Sequence, residues 1–197
     1  MTLPNQITIG RILLIPIFVL LAVYYGHTVA ARTPNEHLRL GAIIVFVLAA
    51  VSDGIDGWLA RSWGLKSKLG MMLDPIADKG LMLTAIITLS VSNWDRSLPF
   101  WFPVIVITRD IIIVVGWMVL HFLNDYVEVR PSILGKITTF FQMLTIATVL
   151  LQWPHYGIVV IIAGVMTFLS GIGYILDGIR LLKINGHDGP QLYTFHE

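Results

Sequence analysis

Six long apolar runs, separated by short polar ones, dominate the chain. The first covers about 12–31 and starts ILLIPIFVLLAVYYG; the second covers about 39–60, around LGAIIVFVLAAV. The others fall at about 70–92, 99–122, 134–153 and 156–181. An α-helix needs roughly 20 mostly apolar residues to cross a hydrocarbon core of about 30 Å. The pattern therefore predicts an all-α integral membrane protein with six transmembrane helices. Pro99, Pro103, Pro131 and Pro154 fall near predicted ends or first turns, where a missing N–H is tolerated. Pro16 lies inside the first run and predicts a kink there.

Composition supports this reading and removes others. Of 197 residues 56% are hydrophobic and only 13% charged, with a mean hydropathy of +0.79. A disordered chain would show low hydrophobicity and high charge. A disulfide scaffold needs cysteine, and there is none. A soluble enzyme would need more polar surface than this chain has. One membrane domain over 1–184 and a polar C-terminal tail over 185–197 are expected. The net charge of +1 gives no reason to expect a nucleic-acid partner. Val29 and Ala31 fit a small-residue cleavage pattern, but only Arg11 supplies a positive flank and five more runs follow, so the first run is read as a retained span.

Lysine and arginine set the orientation. Arg11, Arg61, Lys66, Lys68, Arg130, Lys136, Arg180 and Lys183 fall on the side of the termini, against Arg32, Arg39 and Arg96 on the other. That bias predicts both termini in the cytoplasm. Trp94, Trp101, Trp153 and Tyr156 are expected at the outer interface. His121 and His155, near run ends, are also expected to be interfacial.

Charges inside the runs point to a site. Each costs at least about 2.5–3.5 kcal/mol at a helix centre, so the default reading is function facing the bundle interior. Asp53 and Asp56 are spaced i, i+3, and Asp74 and Asp78 i, i+4, so each pair shares a helix face. The short Arg61–Gly70 loop makes spans two and three antiparallel neighbours, with all four carboxylates near their cytoplasmic ends. Divalent cations would relieve the repulsion, and an all-oxygen set favours Mg²⁺, Mn²⁺ or Ca²⁺. Such a centre suits phosphate chemistry. Gly54 and Gly57 leave the helix face open, and Arg61 is placed to pair with a phosphate. Two other readings stay open here: packing salt bridges with Lys79, Arg61 and Arg109, or an ion pathway of a small transporter.

The run Asp53-Gly-Ile-Asp56-Gly57-Trp-Leu-Ala60-Arg61, then Gly70, Asp74 and Asp78, resembles the signature D-x-x-D-G-x-x-A-R-x8-G-x3-D-x3-D of the CDP-alcohol phosphatidyltransferases, with every fixed position matched. The resemblance extends over about 3–182. It implies transfer of a phosphatidyl group from CDP-diacylglycerol to an alcohol, with release of CMP. It further implies that Asp53, Asp56, Asp74 and Asp78 hold two Mg²⁺ (or Mn²⁺) ions. Gly57, Ala60, Arg61 and Gly70, with Asp53 and Asp74, would bind the cytidine diphosphate, and Asp78 would be the general base.

For the acceptor, Leu3-Pro4-Asn5-Gln6-Ile7-Thr8 with Arg11, and Gly135-Lys136-Ile137-Thr138-Thr139 with Gln142, resemble members that use glycerol 3-phosphate. Arg109-Asp110 is closer to members that use phosphatidylglycerol. A small phosphorylated alcohol needs cations, and Arg11, Arg109 and Lys136 are the candidates. Asp110 is expected to pair with Lys79 or another helix, because i, i+1 side chains point about 100° apart. That would leave Arg109 free for an anionic substrate. Membrane lipids are the surroundings and a bacterial-type inner membrane the expected location. Gly164, Gly171 and Gly173 are expected to permit close helix packing, with a homodimer as one form of it.

Overall fold

A computed structural model describes the backbone of residues 3–63, 68–123 and 133–185, and the side chains of 9–52, 79–116, 118–119 and 133–179. The described residues form six helices and no strand: α1 (Leu3–Ala30), α2 (Glu36–Trp63), α3 (Lys68–Val91), α4 (Trp101–Leu123), α5 (Ile133–Leu150) and α6 (Tyr156–Asn185). Each of the six apolar runs is one helix. The largest difference is at the start of α1, which begins at Leu3. The polar residues Asn5, Gln6 and Thr8 hide this start from a hydropathy reading, yet none of them forbids a helix. The helix also continues through Pro16 without interruption.

α1 packs mainly against α2 and α3, and α6 against α4 and α5; α3 joins the two groups through α4 and α5. Small residues allow the first group to close. Ala22, Ala42, Ala49 and Ala85 are fully buried there beside Phe18, whose ring centroid is 5.7 Å from that of Phe46. Val106, Ile146, Val149, Val160 and Ala163 extend the core into the second group.

The outward faces are apolar. Leu13, Ile17, Leu20 and Tyr24 run down one face of α1, Leu40, Ile44, Val47 and Val51 down α2, and Ile161, Val165, Phe168 and Ile172 down α6, all exposed. Spacings of three and four put each set on one helical stripe. Soluble proteins rarely expose contiguous apolar patches beyond a few hundred Å², so stripes on several helices identify a membrane protein. Among the described residues three stretches are long and apolar enough to cross a bilayer: Ile9–Ala30, Ile133–Leu150 and Tyr156–Ile179.

Two helix ends close without glycine. Arg32 and Gln152 have φ of 59° and 53°, and the bonds Thr33 N–H to Thr28 O and Trp153 N–H to Thr148 O, each 2.9 Å, complete the left-handed caps of α1 and α5. Asn35 then starts α2, its Oδ1 accepting from the His37 N–H at 3.1 Å. Trp101 and Trp153 are exposed near helix ends, and His155 is exposed in the α5–α6 turn. Trp94 departs from the interfacial expectation. Its indole is buried, donates Nε1–H to the Ala22 carbonyl at 2.9 Å and lies edge-on to Tyr25 at 4.5 Å between centroids. Gly26 permits this: a Cβ there would stand 3.0 Å from the Asn93 nitrogen. The chain leaving α3 therefore lies on α1, and a hydrogen-bonded indole seals the contact.

Candidate functional site: an acidic helix pair beside a cationic cavity

The eight signature positions all lie on helices that touch, α2 and α3. Asp53 is ten residues before the end of α2 and Asp78 ten residues after the start of α3; Asp56 and Asp74 are seven and six residues from the same ends. At about 1.5 Å per residue, the four positions form two matched levels along the helix axes. The backbone thus places the four aspartate positions in two levels on adjacent helices. The side chains of Asp53, Asp56, Gly57, Ala60, Arg61, Gly70, Asp74 and Asp78 lie outside the described residues.

Lys79, directly after Asp78, opens the part of the site whose side chains are described. A cavity of about 560 Å³ lies between α3, α4, α5 and α6. Its polar lining is Lys79, Arg109, Asp110, Lys136, Thr139 and Tyr174, and its apolar wall includes Ile107, Ile111 and Val114. Among the described lining residues three cations face one carboxylate. Two of the three residues expected to bind the acceptor, Arg109 from the middle of α4 and Lys136 from the first turn of α5, thus meet here. Arg11 does not line the cavity; it is buried on α1.

Asp110 organises the cations. Lys79 Nζ donates to Asp110 Oδ2 at 3.1 Å and Oδ1 at 3.2 Å, which realises the expected pairing. Arg109, however, is not free of Asp110: its Nη1 donates to Oδ1 at 2.7 Å. The direction argument holds for Cβ atoms, but three methylenes let the guanidinium curl back onto the neighbouring carboxylate. Arg109 also donates from Nη2 to Ser170 Oγ at 3.3 Å, and its Cζ lies 5.5 Å from the Tyr174 ring centroid. Lys79 and Arg109, offered above as salt-bridge partners for the signature aspartates, both engage Asp110.

α5 and α6 fix the far wall. Gln142 Nε2 donates to Thr167 Oγ1 at 3.0 Å, and Thr138 Oγ1 donates to the carbonyls of Leu134 and Met166. These bonds lock the helix that presents Lys136 and Thr139. Gly164 lies under Trp101, where a Cβ would come within 2.6 Å of the ring, and Gly171 lies along the Arg109 stem. Gly164 serves close packing within the chain, a Cβ at Gly171 would make ordinary contact with Arg109, and Gly173 faces open space. Ser170 and Tyr174 were not singled out in the sequence. The available signal was their spacing, i, i+4 around Gly171, which puts two hydrogen-bonding side chains on one face of an otherwise apolar helix.

Comparison with known proteins gives this arrangement a family. A probable phosphatidylglycerophosphate synthase of Mycobacterium tuberculosis is 34% identical over 186 residues, covering 90% of this chain and 82% of that protein. The CDP-diacylglycerol–glycerol-3-phosphate 3-phosphatidyltransferase of Bacillus subtilis is 31% identical over 192 residues, 92% of this chain and 97% of its own. The enzyme of the same name from Escherichia coli K12 is 34% identical over 182 residues, 88% and 92%. The CDP-alcohol phosphatidyltransferase model matches residues 1–170, which include the acidic helix pair and, of the cavity's polar lining, all but Tyr174. An all-helical membrane protein with the complete acidic signature, matched along nearly its whole length, the chain belongs to the CDP-alcohol phosphatidyltransferase family.

Proposed function

We propose that this protein transfers the phosphatidyl group of CDP-diacylglycerol to glycerol 3-phosphate, giving phosphatidylglycerophosphate and CMP. One observation carries the choice of acceptor: among the described residues of the cavity, Lys79, Arg109 and Lys136 outnumber the one carboxylate, Asp110, and Lys79 directly follows Asp78. A phosphomonoester carries about −1.5 to −2 charge at neutral pH, and this cavity offers a matching excess of cations. The names of the relatives from B. subtilis and E. coli support the same acceptor. Family membership leaves the transporter reading without support.

In this reading Asp53, Asp56, Asp74 and Asp78 hold two Mg²⁺ or Mn²⁺ ions, and Gly57, Ala60, Arg61 and Gly70 line the nucleotide pocket with Asp53 and Asp74. Bound there, the ions would neutralise the pyrophosphate and the departing CMP. Arg109 and Lys136 hold the acceptor's phosphate; Arg11, also expected to do so, is buried on α1 and is not among the lining residues. Asp78 takes the proton of the acceptor hydroxyl as its oxygen attacks the β-phosphorus. The new P–O bond forms, the bond from the β-phosphorus to the bridging oxygen breaks, and CMP leaves with that electron pair. Much of the rate comes from holding the two substrates in register. The six helices are read as six spans of one domain over 1–184, with 185–197 as a tail. Both termini and the active site face the cytoplasm across a bacterial inner membrane, as the eight-to-three distribution of loop cations favours. A homodimer is part of the same proposal.

The test is CMP release by purified protein with CDP-diacylglycerol and Mg²⁺. Glycerol 3-phosphate, phosphatidylglycerol, inositol phosphate and serine are supplied separately. Turnover with glycerol 3-phosphate is expected. Turnover with phosphatidylglycerol alone would make the protein a cardiolipin synthase of the same family.

A further inference from the structure

The guanidinium of Arg109 is held from three directions. Nη1 donates to Asp110 on its own helix. The other two contacts come from α6: Ser170 Oγ accepts from Nη2 at 3.3 Å, and the Tyr174 ring lies against the cation at 5.5 Å from centroid to Cζ. Residues 170 and 174 are one turn apart and share a helix face. Gly171 lies between them, and a Cβ there would stand 3.7 Å from Arg109 Cγ, so the stem runs along the surface of α6. Ser170 is 1% exposed and Arg109 5% exposed, so neither contact is a passing surface encounter. Arg109 Nε is buried with no hydrogen-bond partner among the described residues. A buried donor left unmade is costly, so this rotamer is imposed by the surrounding contacts rather than selected by that N–H. These contacts hold the guanidinium at the wall of the cavity it shares with Lys136.

We propose that Tyr174 and Ser170 are positioning residues for the acceptor: they fix the plane and edge of the Arg109 guanidinium so that it meets the acceptor phosphate as a fork. The ring sets the plane, because a flat cation lies best against a flat π-face. The hydroxyl sets the rotation within that plane, because it accepts from one nitrogen only. α6 thus takes part in acceptor recognition through an aromatic ring and a hydroxyl. The inference rests on the reading of this cavity as the acceptor site. It adds that a bidentate grip depends on orientation supplied from a second helix.

The experiment is steady-state kinetics of the full-length protein in mixed micelles, varying acceptor and CDP-diacylglycerol in turn. Tyr174→Leu removes the ring and is expected to raise the acceptor KM roughly 3- to 30-fold, the range of a cation–π contact between exposed and desolvated settings. The KM for CDP-diacylglycerol should stay within about twofold and kcat should change less than the acceptor KM, a split that loosened packing would not produce. Tyr174→Phe keeps the ring face and should recover most of the loss. Ser170→Ala should raise the acceptor KM alone, by a smaller factor. In an Arg109→Lys background, where no plane exists to orient, Tyr174→Leu should add little. Equal KM changes for both substrates, no rescue by phenylalanine, or a full Tyr174→Leu effect on top of Arg109→Lys would overturn the inference. The wild-type arm separates this from the functional reading. A wild type active only with phosphatidylglycerol overturns the glycerol 3-phosphate assignment, and the same variants are then read against that acceptor's phosphodiester. A wild type inert with both overturns the acceptor-site reading and this inference together.

Discussion

Replacing Asp110 by asparagine tests the charge balance of the cavity without changing its shape. The carboxylate is 15% exposed and is shared by Lys79, 39% exposed, and Arg109, 6% exposed. Removing one member of a fully buried ion pair costs about 3–5 kcal/mol, because the remaining charge is left uncompensated. Here Arg109 feels nearly the whole loss, whereas Lys79 is wet enough that its share is small. The asparagine oxygen can still accept one hydrogen bond, so about 2 kcal/mol is the expected net cost. For a chain of this size that corresponds to a fall of about 4–8 °C in Tm. The structure adds a second, more discriminating expectation. The acceptor phosphate would replace the missing negative charge beside Arg109, so glycerol 3-phosphate should stabilise Asp110→Asn more than the wild type. Linkage sets the scale, about 2.7 kcal/mol when ligand reaches one hundred times its Kd. The assay is thermal unfolding of both proteins in one detergent, with and without a fixed concentration of glycerol 3-phosphate, followed by tryptophan fluorescence. An unchanged Tm would show that Asp110 does not balance Arg109. An equal acceptor-induced shift in both proteins would show that the phosphate does not occupy this wall.

Three further outcomes follow from the same site. Prolonged incubation with excess chelator should abolish CMP release, and Mg²⁺ or Mn²⁺ should restore it; full activity in chelator would remove the metal assignment from the four aspartates. Asp78→Asn keeps size but loses basicity, so kcat should fall at least about 100-fold. CDP-diacylglycerol binding should weaken far less than for Asp53→Ala, and equal weakening in both would make Asp78 a ligand only. Gly164→Ala would bring a Cβ within 2.6–2.8 Å of the Trp101 ring, so it should destabilise by about 1–3 kcal/mol. Trp101→Ala in the same chain should relieve part of that loss, which thermal unfolding of the double variant measures.

The fold was legible because lipid imposes a single long-range rule. Each helix needed one apolar run, and each run became one helix. The failures lie where a local contact overrides that rule. Trp94 reads as interfacial by position, but Gly26 lets the Ser92–Asn93 segment lie on α1, and the buried indole that follows finds an acceptor in Ala22. The start of α1 was hidden because helix propensity and hydropathy are different properties, and only the second was used to draw the boundary.

The site divides along the same line. Its proposed acidic half rests on the sequence, where charges are so costly in a span that their spacing carries meaning. Its cationic half was visible only as a set of residue types, because cations in a membrane protein have a second common use, snorkelling to the interface. Tertiary structure sorts the three candidates, and Arg11, which is buried, is not a snorkelling cation. Arg109 and Lys136, from helices separated by a connection, face one cavity, and Arg11 does not. What sequence periodicity could not supply is the reach of a long side chain. Arg109 turns back to its own neighbour Asp110 and outward to Ser170 and Tyr174 on α6. Asp110 also holds Lys79, the residue after the proposed base. One carboxylate on α4 thus ties the helix of the proposed base to the arginine proposed for the acceptor. A displacement of α3 relative to α4 would disturb both substrates at once, so the register of these two helices is as much a part of the site as the charges they carry.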